Sequence, residues 1–112
     1  MIKKTTLLLY LITLSSVVLS LSNYEKGLAN YNEGDYEAAE MFYKKAAEQG
    51  SSKAQFSLAS MYQLGDGISE NHDEACKWFY KAYEQGNVKA KYQVYLTCRG
   101  TKYYHQLRNN LQ

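Results

Sequence analysis

The stretch YKKAAEQGSSKA at residues 43–54 returns as FYKAYEQGNVKA at residues 79–90. A shift of 36 positions lays Ala39 on Ala75, Phe42 on Trp78, Lys45 on Lys81 and Ala46 on Ala82. It also lays Glu48-Gln49-Gly50 on Glu84-Gln85-Gly86, and Lys53-Ala54 on Lys89-Ala90. A period in the thirties marks a helical solenoid, in which each repeat is one hairpin that buries its apolar face only by stacking on its neighbours. Such folds usually bind and seldom catalyse.

Working outward from the repeat, helix signals recur at regular intervals. Tyr24, Leu28 and Tyr31 stand at i, i+4 and i+7 and predict one helix face, which Gly34 ends. Asp35 predicts the cap of a second helix with Ala39, Phe42, Tyr43, Ala46 and Ala47 on its core face. Ser51 and Ser52 predict the start of a third, faced by Ala54, Leu58, Met61 and Tyr62. The loop Gly65-Asp66-Gly67-Ile68 follows, and its Ile68 is expected to turn inward. Asn71 and Glu74 have capping-box spacing before a fourth helix with Ala75, Trp78, Phe79 and Ala82 inside. Residues Val88 to Arg99 predict a fifth helix. Thr101 opens a short sixth with Tyr104, Leu107 and Leu111 on one face. The expected fold is all-α: an antiparallel helix-hairpin solenoid with hairpins at about 23–50, 51–86 and 87–112. Small Ala39, Ala46, Ala75 and Ala82 allow close helix approach, while Phe42, Trp78 and Phe79 are expected to fill the space between layers.

Residues 1–22 are a different kind of sequence. Lys3 and Lys4 precede an apolar run from Leu7 to Leu21, and Ser20 and Ser22 stand at −3 and −1 of a cut before Asn23. Basic start, apolar middle and small-residue exit predict a secretory signal peptide, with an uncleaved anchor as the alternative. No stable membrane insertion is expected after cleavage, because the run is short for a span. The remaining chain, 23–112, is one small domain without proline and rich in tyrosine, holding 11 of the 12 tyrosines of the 112-residue sequence. Its charge is polarised. Residues 23–74 hold ten acidic and four basic residues, and residues 75–112 hold one acidic and seven basic. This layout suits head-to-tail association or orientation of a charged partner, or is simply a solvated surface.

These residues resemble the Sel1-like repeat family, a branch of the tetratricopeptide-like helical repeats. The family pattern runs Leu…Tyr…Gly-x-Gly-Val, an Asp cap, Ala, Trp and Lys-Ala-Ala-x-x-Gly-x-x-x-Ala. Leu58, Met61, Tyr62, Gly65, Gly67, Ile68, Asn71, Ala75, Trp78, Phe79, Lys81, Ala82, Gly86 and Ala90 match it in order, and the resemblance runs from residue 24 to 100. Three departures stand out. The first repeat has Gly34-Asp35-Tyr36-Glu37-Ala38-Ala39 in place of the Gly-x-Gly loop. Asn71 replaces the usual Asp. The last repeat has Cys98 where Tyr is usual and lacks the loop. The resemblance implies protein–protein interaction through an extended surface.

Cys76 falls early on the fourth predicted helix and Cys98 late on the fifth, with the turn near Gly86 and Asn87. Residues facing each other across an antiparallel hairpin keep a nearly constant index sum, and this pair lies on the level the turn sets. Compartment and geometry then allow a disulfide, with two buried thiols as the alternative. Some secreted bacterial members of the resembled family carry helix-to-helix disulfides. A metal set of His72, Cys76, Cys98 and His105 is a rival, but its spacing is that of no zinc module. His72 and His105 are expected to be solvated, and no cofactor is expected.

Catalytic signatures are missing from the sequence: there is no Ser-x-x-Lys, Gly-x-Ser-x-Gly, His-Glu-x-x-His or phosphate loop. A capped helix start accounts for Asp66, Asp73 and Glu74. Tyr80 and Tyr83 share a face with Cys76 and are expected to pack against the fifth helix. Tyr95, Arg99 and Tyr103 are the candidates for exposed partner contacts, since Tyr and Arg are frequent interface hot spots. Asn30, Gln55 and Gln63 are candidates for the polar lining of a groove formed by the first helix of each hairpin. The reading is an exported scaffold, periplasmic or secreted. It binds a protein or peptide partner or self-associates, does not bind nucleic acid, and has no catalysis of its own. The alternative is a small cell-envelope enzyme or β-lactam-interacting protein, as in secreted cysteine-rich relatives of the resembled family.

Overall fold

The structure, a computed structural model, describes residues 21–112 together with Thr6 and Leu9. The expected signal peptide, 1–22, therefore lies almost entirely outside the described residues. The described chain is all-helical: α1 (Asn23–Glu33), α2 (Tyr36–Glu48), α3 (Ser52–Leu64), α4 (His72–Glu84), α5 (Val88–Thr97) and α6 (Lys102–Asn110). Each helix packs on the next, and α6 also reaches back to α4. This is the antiparallel hairpin solenoid of a repeat protein.

Local chemistry sets the ends. Side-chain oxygens of Asp35, Ser51, Asn71, Asn87 and Thr101 accept from the backbone N–H three residues on, at the starts of α2 to α6. The reciprocal capping box sits at Ser22 instead of Asn71. The Ser22 side chain accepts from the Glu25 N–H, and Glu25 accepts from the Ser22 N–H at 2.8 Å. Those bonds hold the Glu25 carboxyl below the usual range. At the α4 start only half of the expected box forms, because the Glu74 carboxylate turns to Lys77 at 3.1 Å.

The α3–α4 loop needs its glycines. Gly65 and Gly67 both have positive φ, 68° and 67°. A Cβ on Gly67 would also run into the Tyr36 ring. Ile68 turns inward and packs against the core. Gly27 matters for close approach instead. It lets α1 lie flat on Tyr43, whose ring stands 2.6 Å from where a Cβ would be.

The core is built of Ala39, Tyr43, Ala46, Ala54, Leu58, Met61, Ala75, Cys76, Trp78, Phe79, Ala82, Ala90, Val94, Cys98 and Leu107, among others. Phe56 adds an edge-on contact to Phe79, ring centroids 5.3 Å apart. Phe42 departs from expectation. It lies off the core, with the ammonium groups of Lys26 and Lys45 each 5.9 Å from its ring centre. Its counterpart Trp78 is 3% exposed. The two differ because Trp78 belongs to an interior hairpin, while Phe42 has no preceding hairpin among the described residues. The Trp78 Nε1–H is buried with no hydrogen-bond partner among the described residues.

A disulfide joins Cys76 to Cys98, with Cα atoms 5.6 Å apart, and pins the end of α5 to the start of α4. Both sulfurs are thereby used, so neither is left as a thiolate for a metal. Among the described residues no helix is long and apolar enough to cross a membrane.

Candidate functional site

Periodicity leaves one helix with apolar residues on two sides. In α5, Ala90, Val94 and the cap Cys98 face the core. Val88, Lys91, Tyr92 and Tyr95 form a second stripe, which together with Leu107 and Leu111 of the α6 region lines a cleft of about 270 Å³. Val88 is 78% exposed and Tyr92 63%. A second cleft, of about 260 Å³, opens between α1 and α3. Leu28, Tyr31 and Asn32 line it from α1, Phe56, Met61 and Leu64 from α3, and Asp66 from the loop. Leu64 there is 66% exposed. Aside from Leu9, the large apolar side chains left exposed among the described residues are Leu28, Met41, Leu64, Val88, Tyr92, Tyr95, Leu96 and Leu111. Six of these eight line one cleft or the other.

The clefts differ in charge. At the first, Tyr31 donates its hydroxyl hydrogen to Asp66 at 2.7 Å. That hydrogen bond, with burial and the carboxylate charge behind it, pushes the Tyr31 pKa up to about 12. Behind it Tyr62 donates to Glu40 at 2.6 Å, tying the first hairpin to the second. Burial and the bond to Glu40 raise the Tyr62 pKa. At the second cleft the charge is Lys91, and residues 85–112 hold five basic residues and no acidic one.

The candidate contact residues fare unevenly. Tyr95 is exposed, with the Arg99 guanidinium 5.6 Å from its ring centre, so these two stand together at the surface. Tyr103 is half-buried, its ring centre 5.6 Å from that of Tyr80 and 5.1 Å from the Lys102 ammonium. Tyr80 packs on α6, where its hydroxyl accepts a hydrogen bond from Asn110. Gln55 is a correction. It is 4% exposed, donates to the Ala47 carbonyl and accepts from Gln85, and so braces hairpins from within. Asn30 donates to the Lys26 carbonyl of its own helix. Neither it nor Gln63 lines the α1–α3 cleft; Asn32 does. Leu111, expected to pack with Leu107, is 55% exposed at the α6 end. His72 is exposed beside Glu70, its Nε2 2.6 Å from the carboxylate. His105 is exposed too, edge-on to Tyr104. Among the described residues no cluster of three or more His, Cys, Asp or Glu is placed to hold a metal.

Sequence reasoning missed the Tyr31–Asp66 pair and the outer stripe of α5. The first had a signal in the separation of 35 residues, almost one repeat, which brings equivalent levels of successive hairpins together. The second had a signal in Val88, Tyr92 and Tyr95 at i, i+4 and i+7, opposite Ala90, Val94 and Cys98.

Comparison with known proteins agrees with this architecture. The Sel1 repeat model matches residues 19–51 and 52–87. A protein of Rhizobium meliloti (strain 1021), described as an exopolysaccharide production negative regulator, is 44% identical over 50 residues. The match covers 45% of this chain and 18% of that protein, so the chain spans less than a fifth of the relative's length. No solved structure matches significantly. The third hairpin, α5 and α6, lies beyond the two matched repeats. Two consecutive repeat matches over most of a chain folded as stacked helix hairpins place this protein in the Sel1 repeat family.

Proposed function

We propose that the chain is an exported, non-catalytic scaffold that binds a protein or peptide through its helical-repeat surface. The observation that carries this reading is the gathering of exposed apolar side chains into two clefts. Singly scattered apolar residues need no explanation, whereas clustered ones mark interaction surfaces. Sel1 repeats generally serve protein–protein interaction, and the regulatory description of the Rhizobium relative suits a segment that recognises a protein.

Export is supported by the basic, apolar and small-residue order of residues 1–22 and by the Cys76–Cys98 bond, since disulfides persist in oxidising compartments. A cut between Ser22 and Asn23 would remove the side chain that caps α1, a change that costs about 1 kcal/mol. Intact mass of the exported chain reads the cut site directly.

The enzyme alternative finds little support in the clefts. The α1–α3 cleft offers Ser57 and Ser60 but no lysine or histidine to serve as base. The α5–α6 cleft offers Lys91 but no serine or cysteine nucleophile. Cross-linking capture from the cell envelope tests the choice, with Leu64→Glu, Tyr92→Glu and Tyr95→Ala/Arg99→Ala variants as controls. A saturable partner lost with one of the variants supports the scaffold. A covalent adduct with a labelled β-lactam would support the enzyme class instead.

A further inference from the structure

The bond expected to be cut on export, Ser22–Asn23, is built into the start of α1. The Ser22 hydroxyl accepts from the Glu25 N–H at 3.2 Å, and the Ser22 N–H donates to the Glu25 carboxylate at 2.8 Å. The Ser22 carbonyl accepts from the Lys26 N–H at 3.0 Å. Asn23 is tied down as well: its side-chain amide donates to Gln49 at 3.2 Å, joining the start of α1 to the end of α2. Leu21 lies ahead of this cap and in no helix. The match to the Sel1 repeat also opens ahead of it, at residue 19.

From this arrangement we infer that the processing site is the Ser20–Leu21 bond, so that the exported chain begins at Leu21 and keeps Ser22. The inference rests on the export reading above and names its cut. The step is a hydrolysis: one water adds across the amide, leaving a carboxyl group on Ser20 and an amino group on Leu21. Three reasons favour this bond. First, the sequence around it is eligible. The apolar run ends in Val18-Leu19-Ser20, which puts a small residue at −1 and a compact aliphatic one at −3. Second, a peptidase takes its substrate extended and must polarise the carbonyl of the bond it cuts. At Ser22–Asn23 that carbonyl is already the acceptor of the first helical hydrogen bond of α1. The bonds of Ser22 reach no further than Lys26, one turn on, so they form whenever the first turn of α1 does. Third, a chain beginning at Asn23 would carry its charged amino group on the first residue of α1, at the positive end of the helix dipole, and would lose the acceptor of the Glu25 N–H. A chain beginning at Leu21 carries that charge two residues ahead of the helix and keeps the capping box whole.

The test is intact mass and N-terminal sequencing of the chain recovered from outside the cytoplasm after expression of the full sequence. A single species beginning at Leu21 is the expected result. Ser22→Leu removes the small residue that the rival cut needs at −1, and is expected to be processed at the same bond as the wild type. An exported species beginning at Asn23, or a Ser22→Leu chain that is no longer processed, overturns the inference and leaves export standing. An exported chain that keeps residues 1–20 overturns it too, and makes those residues an anchor. A chain found only inside the cytoplasm with its N-terminus uncut overturns the export reading along with it. Thermal circular dichroism then compares two chains released from a fusion, one beginning at Leu21 and one at Asn23. The shorter is expected to melt about 4–8 °C lower, the shift for one lost helix cap in a domain of this size. Equal melting temperatures would show that Ser22 contributes nothing to the fold and would overturn the inference as argued.

Discussion

Breaking the Cys76–Cys98 bond is expected to loosen the third hairpin and lower the stability of the whole domain. The bond closes a loop with a sequence separation of 22. For a loop of that length the chain-entropy treatment gives about 3 kcal/mol of stabilisation through the unfolded state. The structure suggests that the folded state has little to offset its loss. Helix α5 gives its outer stripe to solvent and is held to the core by Ala90, Val94 and Cys98, one of which is half of the bridge. In a domain of this size 1 kcal/mol corresponds to about 4–8 °C in Tm, so about 12–24 °C is expected. The assay is thermal circular dichroism of the oxidised chain, the chain reduced and alkylated, and Cys76→Ala/Cys98→Ala, with thiol alkylation counted by mass. Hydrogen exchange adds location: amides of α5 and α6 are expected to lose protection before those of α2 and α3. A double variant that melts within about 3 °C of the oxidised protein would refute the reasoning, since that is below the shift expected even for 1 kcal/mol. It would mean that α4–α5 packing alone fixes the third hairpin.

Three further outcomes follow from particular contacts. Trp78→Ala is expected to lose about 3–5 kcal/mol, as for a large buried aromatic, whereas Trp78→Phe is expected to lose under about 1.5 because it also removes the unpartnered Nε1–H; chemical denaturation of both distinguishes packing from polar loss, and equal losses would contradict this account. Gly27→Ala gains about 1 kcal/mol of helix propensity but drives a methyl into the Tyr43 ring, which is 2% exposed and has nowhere to go, so a net loss on the order of 1 kcal/mol is expected in denaturant melts and a net gain would show that α1 can lift. Tyr31 titrates at about 12 in the fold against an ordinary value of 10.0, so its protonated form is the one the fold favours. Its contribution is complete below pH 10, drains away as pH rises toward 12, and disappears in Tyr31→Phe; ultraviolet difference titration showing every tyrosine ionising near 10 would remove the Asp66 bond from the account.

The repeat, the hairpins, the caps and the register of Cys76 against Cys98 were legible in the chain itself. Each depends on interactions within a few residues or across a single turn. Asp35, Ser51 and Asn71 bond to the third N–H ahead, and two residues equidistant from one turn meet at one level. Helical periodicity also says which side chains share a face. It does not say what covers that face, because the cover comes from another hairpin. Only the tertiary arrangement could put Gln55 inside the stack, set Phe42 outside it while its repeat partner Trp78 is buried, and bring Tyr31 to Asp66. The same is true of the clefts. Leu28 shares a helix face with Tyr24 and Tyr31, yet it is half-exposed because the neighbouring α3 stands far enough away to leave a trough. The amino-acid sequence thus determined a stack of capped helix hairpins with one candidate bridge. Packing between hairpins, where partners come from distant positions and close approach depends on shapes such as Gly27 against Tyr43, decided which surfaces remain open for recognition.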